Sequence, residues 1–155
     1  MQIASDYIDL LRILNKHKVK YLIVGAYAVI YYTEPRYTKD LDIWVQPDSE
    51  NAERVYRALK EFGAPLKDIE PSSFTDKSLV YQMGVAPVRV DILMGLPMIE
   101  FDQAWKHKKI TTFDDIKVNI IGIDELIYSK KTAKRPTDLV DIESLQLGLK
   151  QRKKK

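Results

Sequence analysis

The sequence predicts an α+β domain in which amphipathic helices cover a β-sheet, and three features carry that expectation. Ile3, Tyr7, Leu10, Leu11 and Leu14 recur at helical spacing, so one apolar stripe runs along a helix from about Ile3 to Lys16. Tyr21-Leu22-Ile23-Val24 is a continuous apolar run stopped by Gly25, the pattern of a strand buried on both faces. Asp40 to Val45 alternates, with Leu41, Ile43 and Val45 on one face and Asp40, Asp42 and Trp44 on the other, which makes a strand with acids on one side.

The remaining elements follow from the same periods. Ala26 to Tyr32 favours a short helix, which ends before Pro35 because the residue preceding a proline is pushed out of helical geometry. A loop from Glu34 to Lys39 leads to the acidic strand. Pro47-Asp48-Ser49 resembles a helix start, and Ala52, Val55, Tyr56, Leu59 and Phe62 keep a helical stripe until Gly63. Leu79 to Val85 and Val88 to Met94 read as strands joined near Ala86-Pro87, with Arg89, Asp91 and Leu93 sharing one face of the second. Glu100 to His107 reads as a helix, Lys109 to Thr112 and Ile116 to Ile121 as a hairpin around Asp114-Asp115, and Asp124 opens a helix toward Lys134. Pro136 breaks it, and a last helix from Thr137 to about Leu149 carries Leu139, Ile142, Leu145 and Leu149 at packing positions.

Composition bounds the function. A chain of 155 residues, 45% hydrophobic and 30% charged, suits one domain, here residues 1–149, followed by a basic tail at 150–155 expected to be disordered. No run approaches the roughly 18 apolar residues a membrane helix needs, and the first residues lack the apolar stretch of a signal peptide, so a soluble cytoplasmic protein is expected, without a membrane partner. The absence of cysteine excludes disulfides and thiolate chemistry, and with two histidines far apart, His17 and His107, any metal here is expected to be held by oxygen. The formal net charge of +3 owes much to the tail, which can touch nucleic-acid phosphates or simply be solvated.

Two acids two residues apart on a strand point the same way and repel each other, so a fold tolerates them most readily where a cation neutralises them. Magnesium suits such oxygen ligands and shares its shell with water and phosphates. A third strand acid would complete a two-ion site. The alternative is a pair of solvated acids on the open face of a strand. Context favours the site: a buried strand, Gly25-Ala26 opening a short helix whose N-terminus can receive an anion, a basic loop and then the acids all lie within about twenty residues.

Val24-Gly25-Ala26, thirteen residues, then Asp40-Leu41-Asp42 resembles the signature of the nucleotidyltransferase superfamily that includes DNA polymerase β: a hydrophobic residue, Gly, Gly or Ser, a spacer, and Asp-hydrophobic-Asp. The longer stretches from Leu22 to Val29 and from Pro35 to Val45 look like a bacterial nucleotidyltransferase-like subgroup similar to the abortive-infection toxin nucleotidyltransferases. The later segment of that subgroup is matched by Leu126-Ile127, Lys130, Ala133, Arg135-Pro136, Asp138, Asp141 and Ile142. The resemblance spans about Tyr21 to Leu145 and implies a mixed central sheet flanked by helices.

It also implies roles. Asp40, Asp42 and Asp91 would be the catalytic acids and the ligands of Mg2+ or Mn2+, with Asp91 able to serve as general base, or instead to stand as a surface acid paired with Arg89. Gly25, Ala26, Arg36, Thr38 and Lys130 would meet the nucleotide phosphates. Ala26 departs from the Gly or Ser of the superfamily, which leaves contact there to the backbone. Arg36 is equally placed for an ion pair with Asp40 or Asp42. Arg89, Arg135, Asp138 and Asp141 would support the site, the last two by orienting Lys130 or Arg135, while Asp138 also suits a helix N-terminus on its own. Tyr27, Tyr31 and Tyr32 read as core rather than as base-stacking rings.

The expected activity is magnesium-dependent transfer of a nucleoside monophosphate from a nucleoside triphosphate to a hydroxyl acceptor on RNA, protein or a small molecule. Two readings compete with it: a non-catalytic nucleotide-binding or regulatory domain of a toxin–antitoxin-type system, with a protein partner encoded nearby, and a metal-dependent phosphohydrolase.

Overall fold

In a computed structural model the described residues are 4–33, 40–85, 88–133 and 136–153. Helix α1 (Ser5–Lys16) buries Tyr7, Ile8, Leu10, Leu11 and Leu14, the stripe expected from its spacing. Strand β1 (Tyr21–Val24) is buried throughout and runs directly into helix α2 (Gly25–Tyr32), with Gly25 at φ 69° making the turn. Strand β2 (Asp40–Val45) buries Leu41, Ile43 and Val45 on one face, and Trp44 on the other.

Helix α3 (Ser49–Phe62) starts where the Asp48 side chain accepts the Asn51 backbone N–H, a cap worth about 1 kcal/mol. It ends at Gly63, whose φ of 92° places it in the left-handed conformation that glycine adopts freely. The stretch that follows, for which no element was expected, holds a 3-10 turn at Pro71–Thr75 that buries Phe74. Strands β3 (Val80–Val85) and β4 (Val88–Leu93) come next, then helix α4 (Phe101–Lys106), strands β5 (Lys109–Phe113) and β6 (Ile116–Ile120), and helices α5 (Ile123–Ala133) and α6 (Pro136–Lys153).

The six strands form one mixed sheet in the order β3-β4-β2-β1-β6-β5. β1 is antiparallel to β2 and parallel to β6, β2 is parallel to β4, and antiparallel hairpins close both edges. The expectation of a mixed central sheet flanked by helices holds.

Two boundaries at the C-terminal end differ from expectation. Pro136 begins α6 instead of merely ending its predecessor, as a residue with no backbone N–H to leave unpaired can. The backbone of α6 continues to Lys153, past Leu149 and into the stretch expected as a disordered tail. Within α6, Ile142 and Leu145 are buried, whereas Leu139, expected at a packing position, is 63% exposed. No helix among the described residues is long and apolar enough to cross a membrane.

Candidate active site

The parallel pairing of β2 with β4 aligns Asp40 with Arg89 and Asp42 with Asp91. Residues paired in register project to the same face of a sheet, so the three acids and Arg89 share one face. On the other flank of β2, Val24 pairs with Asp42 and hands the chain straight to Gly25. The contact between that turn and the acid is close: a Cβ on Gly25 would lie 2.1 Å from Asp42 Oδ2. Glycine is required there twice over, by its positive φ and by the carboxylate beside it.

Asp42 is partly buried, and its carboxyl is raised to about 6, first by burial and then by the negative charges of Asp91 and Asp40. Arg89 and Lys130 oppose that rise, so both cations lie near enough for Asp42 to feel them. Arg89 itself is bound to Asp91 by two parallel bonds, Nε to Oδ1 and Nη2 to Oδ2, each 3.1 Å. Like-charge crowding around Asp42 is thus relieved by a guanidinium that occupies both oxygens of Asp91.

Lys130 comes from α5 and is buried between two buried acids of α6, with Nζ 3.2 Å from both Asp138 Oδ1 and Asp141 Oδ2. Asp138 and Asp141, expected to orient Lys130 or Arg135, thus both pair with Lys130. Arg36, Thr38 and Arg135 lie outside the described residues. Ala26 sits on the first turn of α2, partly buried, beside the acid face through Gly25. Tyr27 and Tyr32 are buried in the core, and Tyr32 donates to the Ile121 carbonyl at 2.7 Å, which ties α2 to the end of β6.

One participant was read only as core. The Tyr7 hydroxyl donates to the Arg89 carbonyl and accepts the Arg89 N–H, both at 3.0 Å, and so fixes β4 at the residue that grips Asp91. Its hydroxyl pKa is raised, chiefly by burial and further by Asp40 and Asp42. Nothing in the helical stripe separates such a tyrosine from one that only packs.

The donor set fits a hard cation in kind: carboxylate oxygens on one face, with a repulsion around Asp42 that a divalent ion would cancel. Among the described residues, however, no three histidine, aspartate or glutamate side chains are gathered in position to hold a metal ion. Asp91 faces Arg89 instead.

No protein-family model matches the sequence, and no curated protein is significantly similar to it. Solved structures do share its fold. The lincosamide antibiotic adenylyltransferase LnuA, bound to lincomycin, superposes with a TM-score of 0.60 at 16% identity over 93% of this chain and 96% of its own. The antibiotic-resistance factor ANT(2'')-Ia gives a TM-score of 0.61 at 11% identity, covering 95% and 82% of the two chains. An antigenic nucleotidyltransferase-like protein from Paracoccidioides brasiliensis gives 0.57 at 16% identity, covering 92% and 77%. The chain has the nucleotidyltransferase fold.

Proposed function

We propose that this protein is a magnesium-dependent nucleotidyltransferase that moves a nucleoside monophosphate from a nucleoside triphosphate to a hydroxyl acceptor. The observation that supports it best is the β2–β4 register, which sets Asp40, Asp42 and Asp91 on one face beside the Gly25 turn.

Asp40 and Asp42 would hold the metal, joined by Asp91 once it leaves Arg89. Bound there, magnesium supplies charge for the triphosphate oxygens. The first turn of α2 offers backbone N–H groups to a phosphate from Gly25 and Ala26, without help from a hydroxyl side chain. Lys130, held between Asp138 and Asp141, adds a fixed positive charge near Asp42. Asp91 takes the acceptor proton as the acceptor oxygen bonds to the α-phosphorus and the bond to the β-phosphate oxygen breaks, releasing pyrophosphate. Arg36 and Thr38 belong to the loop before β2 and are assigned to phosphate contact on the sequence resemblance alone, and Arg135 to support of the site on the same ground.

Among RNA, protein and small-molecule acceptors, the fold neighbours favour the small molecule: one is lincomycin-bound, and ANT(2'')-Ia has been seen with adenylyl-2''-tobramycin. The test supplies the four α-labelled triphosphates with tRNA, protein and small hydroxylated acceptors. Label transfer by the wild type and none by Asp42→Ala is the expected result. Equal counts from the two proteins reject the reading, and free nucleoside monophosphate without labelled acceptor points to a phosphohydrolase.

A second reading has one observation of its own. The Arg89 fork on Asp91 is what a domain that binds nucleotide without catalysis would retain, in a regulatory or antitoxin-like role beside a protein encoded nearby. Manganese discriminates: a catalytic site shows metal-dependent stabilisation that grows when nucleotide is added, and a degenerate one shows none.

A further inference from the structure

The third acid of the site is already engaged. Arg89 holds both oxygens of Asp91, Nε on Oδ1 and Nη2 on Oδ2, while Asp42 stands beside Asp91 in the β2–β4 register. A fork of two parallel charged bonds is among the stronger contacts a carboxylate makes, and joining a metal shell means giving up at least one of them. Asp91 can therefore serve Arg89 or an ion shared with Asp40 and Asp42, and not both in full. Among the described residues no three acids are in position to hold an ion together, in keeping with that competition.

The pair is built to part on one side only. The Arg89 side chain is 37% exposed, against 14% for Asp91, so the guanidinium borders solvent and a ligand can reach it. Its backbone is anchored instead: both main-chain polar groups of Arg89 are bonded to the Tyr7 hydroxyl at 3.0 Å. Only the side chain has to turn. Its place in the sheet also matters. The Gly25 turn ends β1, Asp40 and Asp42 lie on β2, and Arg89 lies on β4, so the guanidinium and the first turn of α2 flank the acids, with roughly 10 Å between the outer two strands. A chain of phosphates laid across the acids meets a donor group on either side, and guanidinium suits phosphate as well as it suits carboxylate.

We propose that the Arg89–Asp91 fork is an autoinhibitory contact, which withholds Asp91 from the metal site until nucleotide phosphates take the guanidinium. Resting on the nucleotidyl-transfer reading, this makes metal and nucleotide support each other's binding, by the same factor in either direction.

Manganese affinity without nucleotide, measured by isothermal titration, tests the contact. Arg89→Gln releases Asp91 and is expected to bind Mn2+ about tenfold more tightly than the wild type. Both Tyr7 bonds are to the Arg89 backbone, so this change leaves them in place. Arg89→Lys keeps the charge without the fork and should also tighten binding, by less. In an Asp91→Asn background the Arg89→Gln gain should shrink below about threefold, because the effect runs through Asp91. ATP added with Mn2+ should raise the melting temperature further in the wild type than in Arg89→Gln, where Asp91 is already released. No Mn2+ binding by any of these proteins, an affinity unchanged or weakened by Arg89→Gln, or an equal gain in both backgrounds overturns the proposal. The two readings fail separately. Tightening through Asp91 with no label transfer by the wild type retains the contact and rejects the transfer; transfer without tightening rejects the contact.

Discussion

Asp42 concentrates the electrostatic cost of the site in one side chain. Its carboxyl is raised to about 6 by burial, then by Asp91 and Asp40, so the fold favours the protonated form. The stability this contributes is complete below the unfolded value near 4 and is lost as pH rises through about 6, leaving the metal-free protein on the order of 2 kcal/mol poorer at neutral pH. Asp42→Asn is therefore expected to melt several degrees above the chelator-treated wild type at pH 7.5, and to converge with it near pH 4. Scanning calorimetry at both pH values checks this, and a lower melting temperature for the variant at pH 7.5 contradicts it. Gly25→Ala should act in the opposite direction, losing upward of about 1 kcal/mol from its positive φ alone, with the added methyl displacing Asp42; its signature in denaturant unfolding is a lower midpoint together with loss of manganese-dependent stabilisation. Strand alternation made Asp40 and Asp42 legible in the sequence. The bonds from Tyr7 to Arg89 join residues 82 positions apart, and no local pattern encodes such a pairing.

At the scale of elements, what could be read depended on how each helix buries itself. In α1 and α3 the buried face is wholly or mainly apolar, so period alone locates it. The buried stripe of α6 is Asp138, Asp141, Ile142 and Leu145, the i, i+3, i+4, i+7 spacing of a packed helix whose first two members are acids. Reading only apolar residues shifted that stripe onto Leu139, which faces solvent. The acids are tolerable inside because Lys130 reaches both at 3.2 Å, so α5 and α6 are joined by charge where an ordinary pair would be joined by packing. Lys130→Met removes that compensation and is expected to destabilise the fold by about 3 kcal/mol in urea unfolding, with Lys130→Arg losing less. A neutral outcome for Lys130→Met would show that the acids are balanced by another group.

For the whole molecule, the sheet order β3-β4-β2-β1-β6-β5 could not be read from element sequence, because the pairing of β2 with β4 and of β1 with β6 skips intervening strands. That same order puts the acids on β2, which borders β1 and its Gly25 turn, and on β4, the strand next to β2. Lys130 meets α6 at Asp138 and Asp141, on its first two turns. At 1.5 Å per residue, the backbone at Lys150 lies roughly 14 Å farther along the helix axis than that at Asp141. A gap of that length exceeds the Debye length of about 8 Å at physiological salt, so the tail contributes little to the field at the acids. Truncation after Leu149 removes five cationic side chains and reverses the sign of the net charge, yet it should leave the stabilisation by manganese with ATP unchanged. Any salt-sensitive affinity for RNA should fall in the same truncated protein, because phosphate neutralisation scales with the number of cations. Thermal shift with manganese and ATP, run beside RNA binding at two salt concentrations, separates the two effects. Loss of half or more of the nucleotide-dependent shift would place the tail at the site and break the geometric argument.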